Sequence, residues 1–368
     1  MNNRKAVTVL LFSVFIISAV LLIGAPVYSA EKGTEGMSDL ELERYYKKMY
    51  EKLRNKRLAA EMVKKAAADK ASASGKVKKK KKPQKMSPMM MKAMERARLK
   101  KAKAKEAREK WLNEYRTHGA KNKNVVSPPD LSPPSNTPDG MVYVPAGKFV
   151  MGQDWGRWTD NQPSRKVYLS AYFIDKYEVS VGAYKAYLKE KKKPVPFPLR
   201  DHDLGGDKQP VFKVTWKDAS DYCDYYGKRL PTEAEWEKSA RGWDRRYFPW
   251  GNELPFENGE YRANYDPTMK DGYQYTADVD SFKNGVSPYG AYNMAGNISE
   301  WTADWYDPEY YKAGDNKDPR GPAEGEKKVV RGGGYHVSYK NLLLTTRVGA
   351  NPDTKNNFFG FRCAKSAE

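Results

Sequence analysis

The sequence predicts an α+β domain of irregular build, entered through a basic helical segment. Three observations carry that prediction. Short alternating runs such as MVYVPAGKFVMG (141–152) read as strands closed by a glycine turn, whereas LPTEAEWEKSARG (230–242) has a helical opening and a glycine stop. Residues 245–325 crowd Asn, Asp, Gly and Pro between isolated aromatics, a texture that gives loops rather than long elements. The charge is also lopsided: residues 51–116 hold 24 Lys+Arg against 7 Asp+Glu, while residues 141–368 hold 34 against 32.

Residues 1–30 read as an export signal. Arg4 and Lys5 precede an apolar run from Ala6 to Ala25, and APVYSA offers small residues for cleavage near Ser29 or Ala30. The run (residues 6–25) is also long enough to span a bilayer, so an uncleaved membrane anchor is the alternative. No cysteine lies near the end of the run, which argues against a lipoprotein. Either form places the bulk of the chain outside the cytoplasm, in a periplasmic or extracellular setting.

Residues 31–120 form the basic segment. Ser38-Asp39-Leu40-Glu41 is a capping-box pattern, and Leu42, Tyr45, Met49, Leu53 and Met62 follow at helical spacing. The lysine run KVKKKKKPQK (76–85) interrupts through self-repulsion and Pro83. A second helix is expected from Ser87-Pro88 to about Tyr115, ahead of Gly119, with a thin apolar face of Met90, Met94, Ala97 and Leu112. Its charge would suit nucleic acid, but it lacks interleaved aromatics for stacking, and export removes most nucleic acid from reach. An anionic envelope surface or a partner protein is the expected ligand of residues 51–116; a solvated spacer is the plain alternative. The Pro-Pro repeats of VSPPDLSPPSNTPDG (126–140) make a stiff linker, so 121–139 separates the arm from a domain at 140–368.

Within that domain KVYLSAYFIDKYEVS reads as a further extended pair, VGAYKAYLKE as a short helix and DASDYCDYYG as another, ending at Gly227. Thr232 with Glu235 three residues on caps the next helix. Trp236, Trp301 and Trp305 are expected in the core. Cys223 and Cys363 are the only cysteines; in an exported chain they read first as a disulfide, with free thiols or a soft-metal site as alternatives.

Five segments stand together in order: MVYVPAGKFVMG (141–152), GKRLPTEAEWEKSARG (227–242), YGAYNMAGNISEWTADWY (289–306), VVRGGGY (329–335) and GFRCA (360–364). This combination resembles the formylglycine-generating, or sulfatase-modifying factor, domain family over residues 140–365. The resemblance implies an irregular fold related to C-type lectins and two structural calcium sites. The first would use Asn264, the Tyr265 carbonyl, Asp271 and the Tyr273 carbonyl. The second would use Asn293, the carbonyls of Gly296 and Ile298, and Glu300. Calcium takes several oxygen ligands, which irregular loops supply; turn termination is the plain alternative for these Asn and Asp residues.

Catalytic relatives oxidise a substrate cysteine in a Cys-x-Pro-x-Arg segment to formylglycine, using oxygen and copper(I) on two cysteines. Counted from Arg331, those two positions are Val337 and Leu342, so the resemblance implies the frame without thiol chemistry, and no bound copper. Ser299 replaces the usual tryptophan before the glutamate, and Gly334 replaces a serine. Cys223 and Cys363 match a structural disulfide of the family; a second is missing, with Ala240 at one of its positions.

Other chemistry has little support. With three histidines, His118, His202 and His336, a three-histidine iron site within the domain is excluded. Ser338 lies two residues from His336, on one face if the segment is a strand, but nothing resembles a nucleophile elbow. Arg331, His336, Ser338, Tyr339, Lys340 and Arg347 are assigned to a polar groove for a protein or peptide ligand, although both arginines also suit buried carboxylates. Asn297-Ile298-Ser299 matches a glycosylation sequon inside the second calcium loop. The expected protein is an exported, calcium-stabilised, non-catalytic binding module; the alternative is a formylglycine-generating oxidoreductase working without the usual pair.

Overall fold

The computed structural model describes residues 88–121, 129–156, 158–196, 206–266 and 270–367. The export signal, the helix expected from Ser38 and the lysine run lie outside the described residues. The chain divides into two compact units, Met1–Leu112 and Asn113–Glu368. The described part of the first is helix α1, Pro88–Lys121, whose end belongs to the second. It is described from Pro88, next to the expected start, but runs past Gly119. A helical glycine costs only about 1 kcal/mol, and packing within the second unit outweighs it. The Tyr115 ring lies 4.8 Å from Tyr247, and His118 stacks on Trp155 at 5.3 Å.

The second unit is α+β with short elements. Strands β1 (Met141–Val144), β4 (Tyr172–Asp175) and β11 (Ala364–Ser366) form one antiparallel sheet in the order β1-β4-β11. Strands β2 (Gly147–Met151) and β3 (Arg165–Leu169) pair separately, because Pro145 and Ala146 divide the expected single strand. The other sheet runs β10-β7-β8-β9, from Phe359–Gly360, Ser299–Trp305, Lys328–Arg331 and Val348–Ala350. Its β7–β10 pair is parallel and the remainder antiparallel. A two-residue ribbon, β5 (Phe256–Glu257) with β6 (Glu260–Tyr261), completes the strands.

Helices α2 (Val181–Glu190) and α3 (Trp216–Tyr225) bury Tyr184, Tyr187 and Tyr222 in a core with Val211, Trp301, Phe359 and Phe361. Capping boxes start α3 at Thr215 and α4 (Glu233–Arg241) at Thr232, each satisfying orphan N–H groups of the first turn. All nine residues of α4 are buried, so its charged side chains must find partners inside the protein. Helix α5 (Tyr310–Ala313) buries Tyr311 beside Phe149, Val167 and Tyr172 in a second core. A Cys223–Cys363 disulfide joins α3 to the segment before β11. Closing a loop of sequence separation 140, it stabilises the fold by a few kcal/mol in the chain-entropy account.

Candidate functional site

Strand β8 ends at Arg331, and the glycines that follow make the turn possible. Gly332 and Gly333 have φ of +91° and +67°, a left-handed conformation that disfavours other residues. A Cβ on Gly333 would sit 3.2 Å from Val337 Cγ2 and 3.2 Å from Leu342 Cδ2. The chain therefore brings positions 337 and 342 to one spot, and both side chains there are apolar and buried. No thiol is left to reach it, since both cysteines are spent in the disulfide.

The segment beyond is not a strand. Residues 335–337 turn, and Ser338 leads into a 3-10 turn over Tyr339–Leu342. His336 consequently points inward and Ser338 outward, so they do not share the face that a strand would have given them. The imidazole of His336 lies 4.0 Å from the Phe358 ring, and burial pushes its pKa down to about 3. It is a neutral core residue rather than a groove base. Ser338 is exposed and Tyr339 and Lys340 are half-buried, so only these three of the six groove residues face outward.

Arg331 and Arg347 take the other of their two expected roles. Arg331 Nη2 meets Glu237 Oε2 at 2.6 Å and donates to the carbonyls of Leu344, Thr345 and Thr346 through its two terminal nitrogens. Arg347 grips Glu233 with Nε at 2.6 Å and Nη2 at 2.9 Å. Arg241 completes the cluster with a 3.0 Å contact to Glu237 Oε1. Asp304 Oδ2 accepts the Glu233 N–H; burial, then the Glu233 charge, pushes its carboxyl up to about 8.

A second buried cluster joins the two predicted calcium sets. Asn293 Nδ2 donates to Glu178 Oε2 at 2.8 Å, and Asn297 Nδ2 donates to both Glu178 oxygens at 3.1 Å. Asn297 Oδ1 accepts from Asn264 Nδ2 at 3.1 Å. The side-chain Oδ1 atoms of Asn264 and Asn293 are buried and meet no donor among the described residues. Such orphaned oxygens are costly unless something positive faces them, so the residues present fit a hard cation in both loops. In the first, Asp271 accepts the N–H groups of Tyr265, Asp266 and Tyr273. In the second, Arg362 and Trp236 occupy three of the lone pairs of Glu300, leaving one on Oε1. Burial, then the Glu300 charge, pushes the Glu178 carboxyl up to about 8.

Glu178 is the residue the sequence reading missed; its amide partners lie 115 and 119 positions away, and no local pattern marks it. Asn297 is fully buried with its amide committed, which closes the sequon to glycosylation. Trp236 and Trp301 are core residues as expected, while Trp305 is half-buried with Lys328 Nζ 3.6 Å from its ring centroid.

These features define an irregular α+β domain whose loops, rather than its strands, carry the polar chemistry. The sulfatase-modifying factor enzyme 1-like domain family matches residues 128–367, and the chain belongs to that family. It is 42% identical over 287 residues to a formylglycine-generating enzyme of Streptomyces coelicolor, a match covering 62% of this chain and 90% of that one. It is 29% identical over 279 residues to the inactive C-alpha-formylglycine-generating enzyme 2 of Mus musculus, covering 62% and 86%. Among solved structures it is similar to PvdO from Pseudomonas aeruginosa, with a TM-score of 0.54 and 29% identity, covering 62% of this chain and 94% of that one.

Proposed function

We propose that this is an exported, non-catalytic member of its family, a binding module whose loops are stabilised by calcium. The observation that carries this reading is the meeting of Val337 and Leu342 at Gly333. Two buried hydrocarbon side chains stand where the resemblance puts a copper-binding thiol pair. Neither can bind a soft metal or exchange electrons as a thiolate does. A relative named as inactive is consistent with a non-catalytic member of the family. The ligand is a protein or peptide segment meeting the face of Ser338, Tyr339 and Lys340. The basic arm, residues 51–116, holds the domain near an anionic envelope surface. The disulfide supports export, since such bonds persist in oxidising compartments.

The test is a turnover assay read by mass spectrometry. The full chain is incubated with copper, oxygen, a thiol reductant and a Cys-x-Pro-x-Arg peptide, beside an active family member. The expected result is an unchanged peptide and no retained copper. A cysteine-to-aldehyde mass change would establish the oxidoreductase alternative.

A further inference from the structure

We infer that Glu178, which belongs to neither predicted ligand set, is a positioning residue that turns the oxygens of Asn293 and Asn264 toward their cations and couples the two calcium sites. The inference rests on the calcium reading above and deepens it.

An asparagine amide has a donating and an accepting end, and its neighbours decide which faces where. The –NH2 of Asn293 is held by Glu178 Oε2 at 2.8 Å and the Val279 carbonyl at 3.1 Å, so its Oδ1 turns away from both. The –NH2 of Asn297 is held by both Glu178 oxygens and by the Ala277 carbonyl at 3.3 Å. Its Oδ1 therefore faces the Ala277 N–H at 2.7 Å and Asn264 Nδ2 at 3.1 Å. Asn264, fixed by that contact and by the Tyr275 carbonyl at 2.8 Å, turns its own Oδ1 away from both. One carboxylate thus sets a relay of three amides, and the relay ends on two oxygens that no donor among the described residues satisfies. Reversing Asn293 or Asn297 would set a carbonyl oxygen against the carboxylate.

A cation at either end fixes the terminal amide and, through the relay, the other. Ordering made once is shared by the second ion, which gives positive coupling. Glu178→Gln supplies a donor of its own, so Asn293 can reverse and bury its oxygen in a protein hydrogen bond. Loss of such an orienting partner commonly lowers metal affinity about 10- to 100-fold.

The experiment is calorimetric titration of the chelator-stripped full chain with calcium, with thermal melting measured in parallel. Wild type should take two ions with positive coupling. Asp271→Asn, which touches only the first set, should leave one ion bound about fivefold or more weakly. Glu178→Gln should weaken both ions by about 10- to 100-fold. Independent filling in wild type, with an unchanged second affinity in Asp271→Asn, overturns the coupling and leaves the calcium reading intact. No binding by wild type removes the calcium reading and this inference together. Should Glu178→Gln fail to fold, wild type and Asp271→Asn decide the matter.

Discussion

Around Arg331 three guanidiniums meet two carboxylates, Arg241, Arg331 and Arg347 against Glu233 and Glu237. Around Glu178 two carboxylates meet one guanidinium, Glu178 and Glu300 against Arg362. Each cluster also holds an acid that burial pushes up to about 8, Asp304 in the first and Glu178 in the second. Both set carboxylates against guanidiniums in a buried setting, yet they are wired differently. In the first, three fixed guanidinium forks grip the acids, which makes it a structural brace. In the second, one guanidinium serves two acids, and two buried amide oxygens meet no donor among the described residues. Guanidinium forks on one side and open lone pairs on the other, rather than the presence of acids, separate a brace from an ion site.

The largest expected effect comes from breaking the brace. Arg331→Met leaves Glu237 with one guanidinium instead of two and strips donors from three buried carbonyls. Removing one partner of a buried pair costs about 3–5 kcal/mol, so urea denaturation should show a loss of that size or a chain that no longer folds. A loss below about 1 kcal/mol, the range of a surface pair, would mean that the cluster is not a brace. Next in size is removal of calcium. An ion present at about a hundred times its Kd adds about 2.7 kcal/mol, and a domain of this length melts about 2–4 °C lower per kcal/mol lost. Chelation should therefore lower the melting temperature by about 5–10 °C. An unchanged melt would make the second cluster as closed as the first.

What the sequence made legible was local. Thr232 with Glu235 predicts a capped helix because a capping box is complete within four residues, and the structure has both hydrogen bonds. The cysteine pairing was legible because the chain holds only two. The sequence alone leaves open whether the 336–338 segment is a strand, since the glycines that turn it also permit extended backbone. The arginine roles could not be decided, because Glu237 lies 94 positions from Arg331 and Glu233 lies 114 from Arg347. Glu178 was invisible for the same reason. Partner choice in a buried polar cluster is set by tertiary packing, and no spacing rule carries it. The oxygen-rich loops were legible as ligand sets only through resemblance; the composition alone reads as turns.

The smallest effect discriminates between the clusters by pH. His336 is pushed from 6.5 down to about 3 by burial, so the folded chain keeps it neutral where the unfolded chain is protonated. The unfolded state then binds the extra proton below 6.5, and stability falls as pH drops from there toward about 3. Each pH unit within that window removes about 1.4 kcal/mol, while above 6.5 the residue contributes no slope. His336→Phe removes the titration without adding a charge, so its stability should fall less steeply than that of wild type. Between about pH 7 and about pH 5 the difference should accumulate to about 2 kcal/mol in paired denaturation curves. Equal slopes would mean that His336 is not held neutral. The turn bearing His336 is tied to the open cluster, because the Tyr335 N–H donates to the Asn297 carbonyl at 2.9 Å. Repeating the series with calcium therefore separates two sources of acid sensitivity. If His336 alone carries it, adding the ion changes neither slope. If protonation reaches the calcium ligands, wild type and variant both become steeper when calcium is present, because acid then releases the ion from each.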